Sequence, residues 1–130
     1  MPSIVGTWKL VRAASRDGAG KALPAPYAGQ GIGRVVFTAS GRMQSVVCDG
    51  RRELPAGSDR GYNSYCGNYE FDGSKLVTHV DAASDPSRVG GDQVRGVRFE
   101  GELMVLMPPP RNVGGIEEHR ELTWERLSAD

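Results

Sequence analysis

The chain has few of the features that announce a mechanism. It holds two cysteines, Cys48 and Cys66. Neither lies near another Cys or His at ligand spacing, so no metal is expected. No apolar run approaches the roughly 20 residues that a membrane-spanning helix needs. Neither sign of charge dominates, with 16 basic and 16 acidic residues. That balance leaves no basic field for nucleic acid or an anionic membrane, and neither is expected as a partner. The opening residues Met1 to Gly6 lack a basic segment followed by an apolar one. No signal peptide is therefore expected, and the expected compartment is the cytoplasm. Two thiols in that compartment more often stay free than pair, although the spacing leaves a disulfide between Cys48 and Cys66 open. The Gly-X-Ser-X-Gly, His-Glu-X-X-His and phosphate-loop signatures are all missing. Gly29-Gln30-Gly31-Ile32-Gly33 is rich in glycine but leads into a strand pattern rather than a helix, so it is no dinucleotide fingerprint. No cofactor is expected.

What is present is alternation. The 130 residues suit a single domain, 1–130, long enough to bury a core without disulfides. The 18 glycines and 8 prolines punctuate many turns. Eight strand-like segments follow, at 4–14, 33–38, 42–49, 64–71, 75–83, 92–99, 103–107 and 117–127. In the fourth, Tyr65, Gly67, Tyr69 and Phe71 share a face, and Asp72-Gly73 behind it is a strong hairpin signal. One helical turn at most is expected between strands three and four, near Arg51 to Leu54.

The connections run long, tight, long, tight, long, tight, long. In an up-and-down meander, alternate connections lie at the same end. The four long loops therefore gather at one end and the three tight turns at the other. Eight antiparallel strands with no helical crossover lose their edges by closing. The expected fold is all-β: a single up-and-down antiparallel eight-stranded β-barrel, with the long loops around one open end. A β-sandwich is the less fitting alternative. Closure sets the last strand antiparallel to the first. It should bring Trp8 near Arg126 and Trp124 at the base, and Arg12 near Glu118 and Arg120 at the rim.

Gly6-Thr7-Trp8 at the opening of the first strand resembles the Gly-X-Trp motif of lipocalins, in which a late Arg packs across the Trp; Arg126 is the corresponding residue here. The resemblance is closest to a family of small bacterial lipocalin-like domains. It is carried by Gly6 to Val11, Ser40-Gly41-Arg42-Met43, Tyr65 to Glu70, Thr78-His79-Val80, Gly91 to Arg95 and Leu122 to Arg126, which together span nearly the whole chain. It implies a calycin-type barrel around a cavity for a small apolar molecule, with Trp8, Trp124 and Arg126 structural. It implies no reaction. Relative to secreted lipocalins the chain is short and shows no leader, so secreted transport is not expected.

Alternation assigns the candidate lining: Tyr65, Tyr69 and Phe71, then Gln93, Arg95, Val97 and Phe99, then Arg120, Leu122 and Trp124. Strand three is ambiguous, and the resemblance favours Met43, Ser45 and Val47 inward. Strand five turns inward either Val77, His79 and Asp81 or Leu76, Thr78 and Val80; the first set, with His79, is preferred. The ligand-binding candidates are thus Met43, Tyr65, Tyr69, His79, Arg95 and Arg120. An inward Arg is costly unless paired, so it calls for a carboxylate, a wet mouth or an acidic ligand. The expected function is binding of a small, largely apolar molecule with an acidic or carbonyl group. The alternative is a cofactor-independent cyclase, isomerase or dehydratase acting on a polyketide-like or aromatic metabolite, with His79, Arg95 or Tyr65 as catalytic candidates. A filled barrel serving as a structural module is a third reading, and the sequence does not set the oligomeric state.

Overall fold

The computed structural model describes residues 3–130. Eight strands form the barrel: β1 (Gly6–Arg16), β3 (Gly31–Phe37), β4 (Arg42–Asp49), β5 (Tyr62–Phe71), β6 (Lys75–Ala83), β7 (Asp92–Glu100), β8 (Leu103–Met107) and β10 (Ile116–Ser128). Two short additions, β2 (Ala22–Leu23) and β9 (Arg111–Val113), pair with β1 and β10 at the loop-bearing end. Neighbouring strands are antiparallel throughout, and β1 pairs with β10 to close the sheet on itself. The expected eight-stranded meander is therefore present. Its long connections alternate with tight turns as the spacing implied. No helical turn forms at Arg51 to Leu54; short 3-10 turns lie instead at Pro26–Gly29 and Pro86–Arg88. No helix among the described residues is long and apolar enough to cross a membrane.

The base is filled. Trp8, Phe37, Met43, Leu76 and Met104 are each at most 1% exposed, and the Tyr69 ring meets Phe37 edge-on at 5.2 Å. The Arg126 guanidinium lies 4.3 Å from the Trp8 ring centroid, and it donates hydrogen bonds to the carbonyls of Ser3, at 2.6 Å, and Val5. The Trp8 indole donates in turn to the Ile4 carbonyl at 2.9 Å. One cation thus ties the entering chain to the last strand. Gly6 has φ +136°, and a Cβ there would lie 2.3 Å from the Ser128 carbonyl oxygen, so the glycine of Gly-X-Trp is required both by backbone angle and by close approach.

Besides a register shift between Thr7 and Trp8, where Leu127 is skipped, two bulges reset the alternation. In the β1–β10 ladder, Leu10 faces Trp124 and Arg12 faces Thr123, which leaves Val11 without a partner. Beyond it the inward set becomes Ala13 and Ser15. Arg12 is therefore exposed and opposite Thr123, not beside Glu118 and Arg120 as expected; Ser15 stands opposite Arg120. The second bulge lies between Cys66 and Gly67 on β5, where Gly67 faces Val80, Cys66 faces Ala82, and Asp81 is skipped. A Cβ on Gly67 would fall 1.9 Å from the His79 carbonyl oxygen. Cys48 faces Tyr62 and Cys66 faces Gln44, four positions apart along the β4–β5 ladder, and both thiols are free.

Arg126→Ala removes the contact over Trp8 and two charge-assisted hydrogen bonds. It is expected to lower unfolding free energy by about 2 kcal/mol, measured by urea denaturation. An unchanged midpoint with an unchanged slope would show that the base does not depend on this contact.

Candidate functional site

The upper half of the barrel is not filled. A cavity of about 360 Å³ opens among the four long loops. Its wall includes Tyr27 from the first loop, Asn63 at the start of β5, Arg88 from the third loop and Pro108 from the fourth. Deeper in, Val47, Tyr65, Leu106, Leu122 and Trp124 give it an apolar floor. A wider hollow of about 690 Å³ lies on the outside, along Arg34, Gln44, Val46, Tyr62 and Cys66. Those side chains alternate away from the barrel core, so it is a surface groove.

Cation excess sets the electrostatics of the mouth. Arg88, Arg95, Arg111 and Arg120 border the cavity against one carboxylate, Glu118, an excess of three positive charges. Glu118 is already engaged. One oxygen accepts from Ser15 Oγ at 2.7 Å, and the other from Arg111 Nε at 2.6 Å. These contacts, Ser15 first, hold its carboxyl below the usual range. Arg120 Nε is 3.8 Å from that second oxygen, too far for a hydrogen bond. It is buried and has no hydrogen-bond partner among the described residues. Burial, followed by the nearby Arg111, pushes the Arg120 pKa down. Among the described residues Arg95 bonds only neutral acceptors, the Val94 carbonyl at 2.8 Å and Gln93 Oε1 at 3.1 Å.

Tyr27 closes one side. It and Ala28 have φ of 54° and 56°, the left-handed region that non-glycine residues avoid, at roughly 1–2 kcal/mol each. Two glycines leave room for the ring: a Cβ on Gly31 or on Gly61 would come within 3.3 Å of Tyr27 atoms. Burial raises the Tyr27 pKa against the opposing effect of Arg120. At neutral pH the phenol is therefore un-ionised and able to donate.

Of the six expected ligand contacts, the structure brings Tyr65, Arg95 and Arg120 together at this cavity. Met43 faces inward but lies in the filled base, 1% exposed. Tyr69 also sits toward the base, where its hydroxyl donates to the Thr38 carbonyl at 2.8 Å. His79 is a correction: it faces outward. Leu76, Thr78 and Val80 form the buried face of β6, and the His79 ring bonds Asp92 at 2.7 Å and Glu70 at 3.3 Å on the surface. Tyr27, Arg88 and Arg111 were not foreseen. Tyr27 and Arg88 sit on short 3-10 turns and Arg111 on the three-residue β9, all too short to show a period that would mark a face. Trp124, expected among the lining by alternation and as structural by the resemblance, forms part of the cavity wall.

A family described as lipocalin-like domain matches residues 5–60 and 56–127. The chain belongs to this lipocalin-like family. No curated protein and no solved structure matches it. The closed barrel with its mouth cavity fits the small-molecule binding that this fold permits. Among the described residues of the lipocalin-like domain, no group of three or more His, Cys, Asp or Glu side chains is placed to hold a metal ion.

Two expectations follow. Arg120→Met removes a half-buried cation whose buried Nε lacks a partner among the described residues, while Glu118 keeps Ser15 and Arg111. The ligand-free variant should therefore be more stable than the parent by about 1 kcal/mol, or roughly 4 °C in melting temperature. A lower melting temperature would mean that Arg120 is already well compensated. Hydrogen bonds to Asp92 and then Glu70 raise the His79 pKa. The resulting stabilisation is complete below the ordinary histidine value and is lost as pH rises through the raised folded value. NMR titration should place the His79 midpoint above that of an ordinary histidine, and Asp92→Asn should bring it down.

Proposed function

We propose that this domain binds one small, largely apolar molecule in the upper half of the barrel and holds it at the mouth through an acidic or carbonyl group. The observation that carries this reading is Arg120 Nε, buried and unpartnered at the wall of a cavity with an apolar floor. A buried donor left unsatisfied costs about 1–3 kcal/mol, more when charged. A carboxylate or carbonyl oxygen on a ligand supplies the missing acceptor, and Arg95 adds a second guanidinium beside it. Tyr65, Leu122 and Trp124 offer the area over which an apolar body loses water.

A cofactor-independent cyclase, isomerase or dehydratase would use the same cavity. Of its candidate groups, Tyr65 and Arg95 border the cavity and His79 does not. Acid–base work would then fall to a tyrosine.

The test is mass spectrometry of the purified protein mixed with a small-molecule extract of its host. One compound retained unchanged at about one per barrel supports binding, and consumption in many-fold excess identifies an enzyme. Arg120→Met should weaken retention about tenfold or more, and His79→Ala should leave it unchanged. Retention that survives Arg120→Met but is lost in His79→Ala would place the site elsewhere.

A further inference from the structure

Two buried side-chain polar atoms lack a hydrogen-bond partner among the described residues: Arg120 Nε and Trp124 Nε1. Both are donors with no capacity to accept. Both residues border the same cavity. They lie four residues apart on the inward face of β10, with Leu122 between them. At ~3.3 Å per residue their Cα atoms are roughly 13 Å apart. The unmet demand is therefore for two acceptors, one at each end of an apolar span.

The two ends differ in charge. The titratable groups facing the site are Arg88, Arg95, Arg111 and Arg120, with Tyr27 and Glu118, at the mouth, and Tyr65 deeper in. Glu118 is occupied by Ser15 and Arg111, so a negative acceptor is favoured at the mouth, and the Tyr27 phenol adds a neutral donor. At the floor, Trp124 faces Leu10 and Met104 across its two ladders. Both ladder partners are apolar, so the second acceptor that fits there is a neutral one. The volume of about 360 Å³ sits at the small end of ligand pockets. Three aromatic rings, those of Tyr27, Tyr65 and Trp124, line it, which suits a flat, rigid body that loses little freedom on binding.

Building on the binding function proposed above, we propose that the ligand is an elongated conjugated molecule taken up in ionised form. Its phenolate, enolate or carboxylate oxygen meets Arg120 at the mouth, and a neutral carbonyl at its other end accepts from Trp124 Nε1. The site thus selects by two acceptors at a set spacing and stabilises a developed oxyanion.

Umbelliferone is a fitting probe. It carries a phenol at one end and a lactone carbonyl at the other, and ionisation of the phenol changes its absorbance. Titrated with the full chain in excess, its phenol should ionise about one pH unit lower than in buffer, which corresponds to a roughly tenfold preference for the phenolate. Its methyl ether, which cannot ionise, should bind about tenfold more weakly. Arg120→Met should abolish the shift. Trp124→Phe, with its fold verified by circular dichroism, should keep the shift and lose affinity several-fold. Umbelliferone bound with an unshifted or raised pKa overturns the oxyanion assignment and leaves small-molecule binding standing. Full affinity in Trp124→Phe overturns the floor acceptor. If umbelliferone, coumarin and β-naphthol all fail to bind the folded barrel, the inference is overturned, and the binding function it rests on is overturned only if the host extract also yields no retained compound.

Discussion

When β10 pairs with β1, the sheet loses its two long edges and acquires an inside. The rest of the molecule depends on that seam. It carries Trp8 opposite Arg126, the contact that plugs the base. It also carries, toward its other end, the Ser15–Glu118–Arg111 set that leaves Arg120 short of a partner. One pair of strands thus supplies both the closure and the polar demand at the mouth. The bulge at Val11 links the two roles. Were Val11 paired in regular alternation instead, Arg12 would point into the mouth in place of the Ala13 and Ser15 phase, adding another cation and removing the hydroxyl that holds Glu118.

The barrel divides its interior by height. Large side chains meet at the base, where Trp8, Phe37, Met43 and Met104 exclude water. Nearer the loops, Gly31 and Gly61 occupy positions where a bulkier residue would displace Tyr27. The large side chains buried at the base supply packing that the cavity walls above do not. The mouth can then carry an underpaired guanidinium and two left-handed residues, Tyr27 and Ala28, at a cost the rest of the fold offsets.

The face of β6 shows where one-dimensional reading stops. Its two candidate sets, Val77–His79–Asp81 and Leu76–Thr78–Val80, are both mixtures of apolar and polar residues, so period alone does not choose. The choice is made by partners: His79 lies opposite Asn68 and Asp92 in its two ladders, and Glu70 and Asp92 hold its ring on the surface. Met43 and Tyr69 illustrate a different limit. Alternation turned Tyr69 inward and the resemblance favoured Met43 inward, yet height along the barrel, not face, separates filling from cavity wall.

Residues that repeat with period two, and turns marked by Gly, Pro and Asp, determined by themselves that this chain is a meander of eight strands with its long loops at one end. They also determined that Tyr65, Arg95 and Arg120 face inward and that Trp8 meets Arg126. These are local properties or consequences of closure, and a pleated backbone imposes them on any such pattern. Only the tertiary structure decided the rest. Bulges shift phase by one residue wherever a strand must bend, loops bring Tyr27, Arg88 and Arg111 over the mouth without any period, and the partnering of Glu118 leaves Arg120 and not Arg111 in want of an acceptor. Each of these depends on distances between segments far apart in the chain.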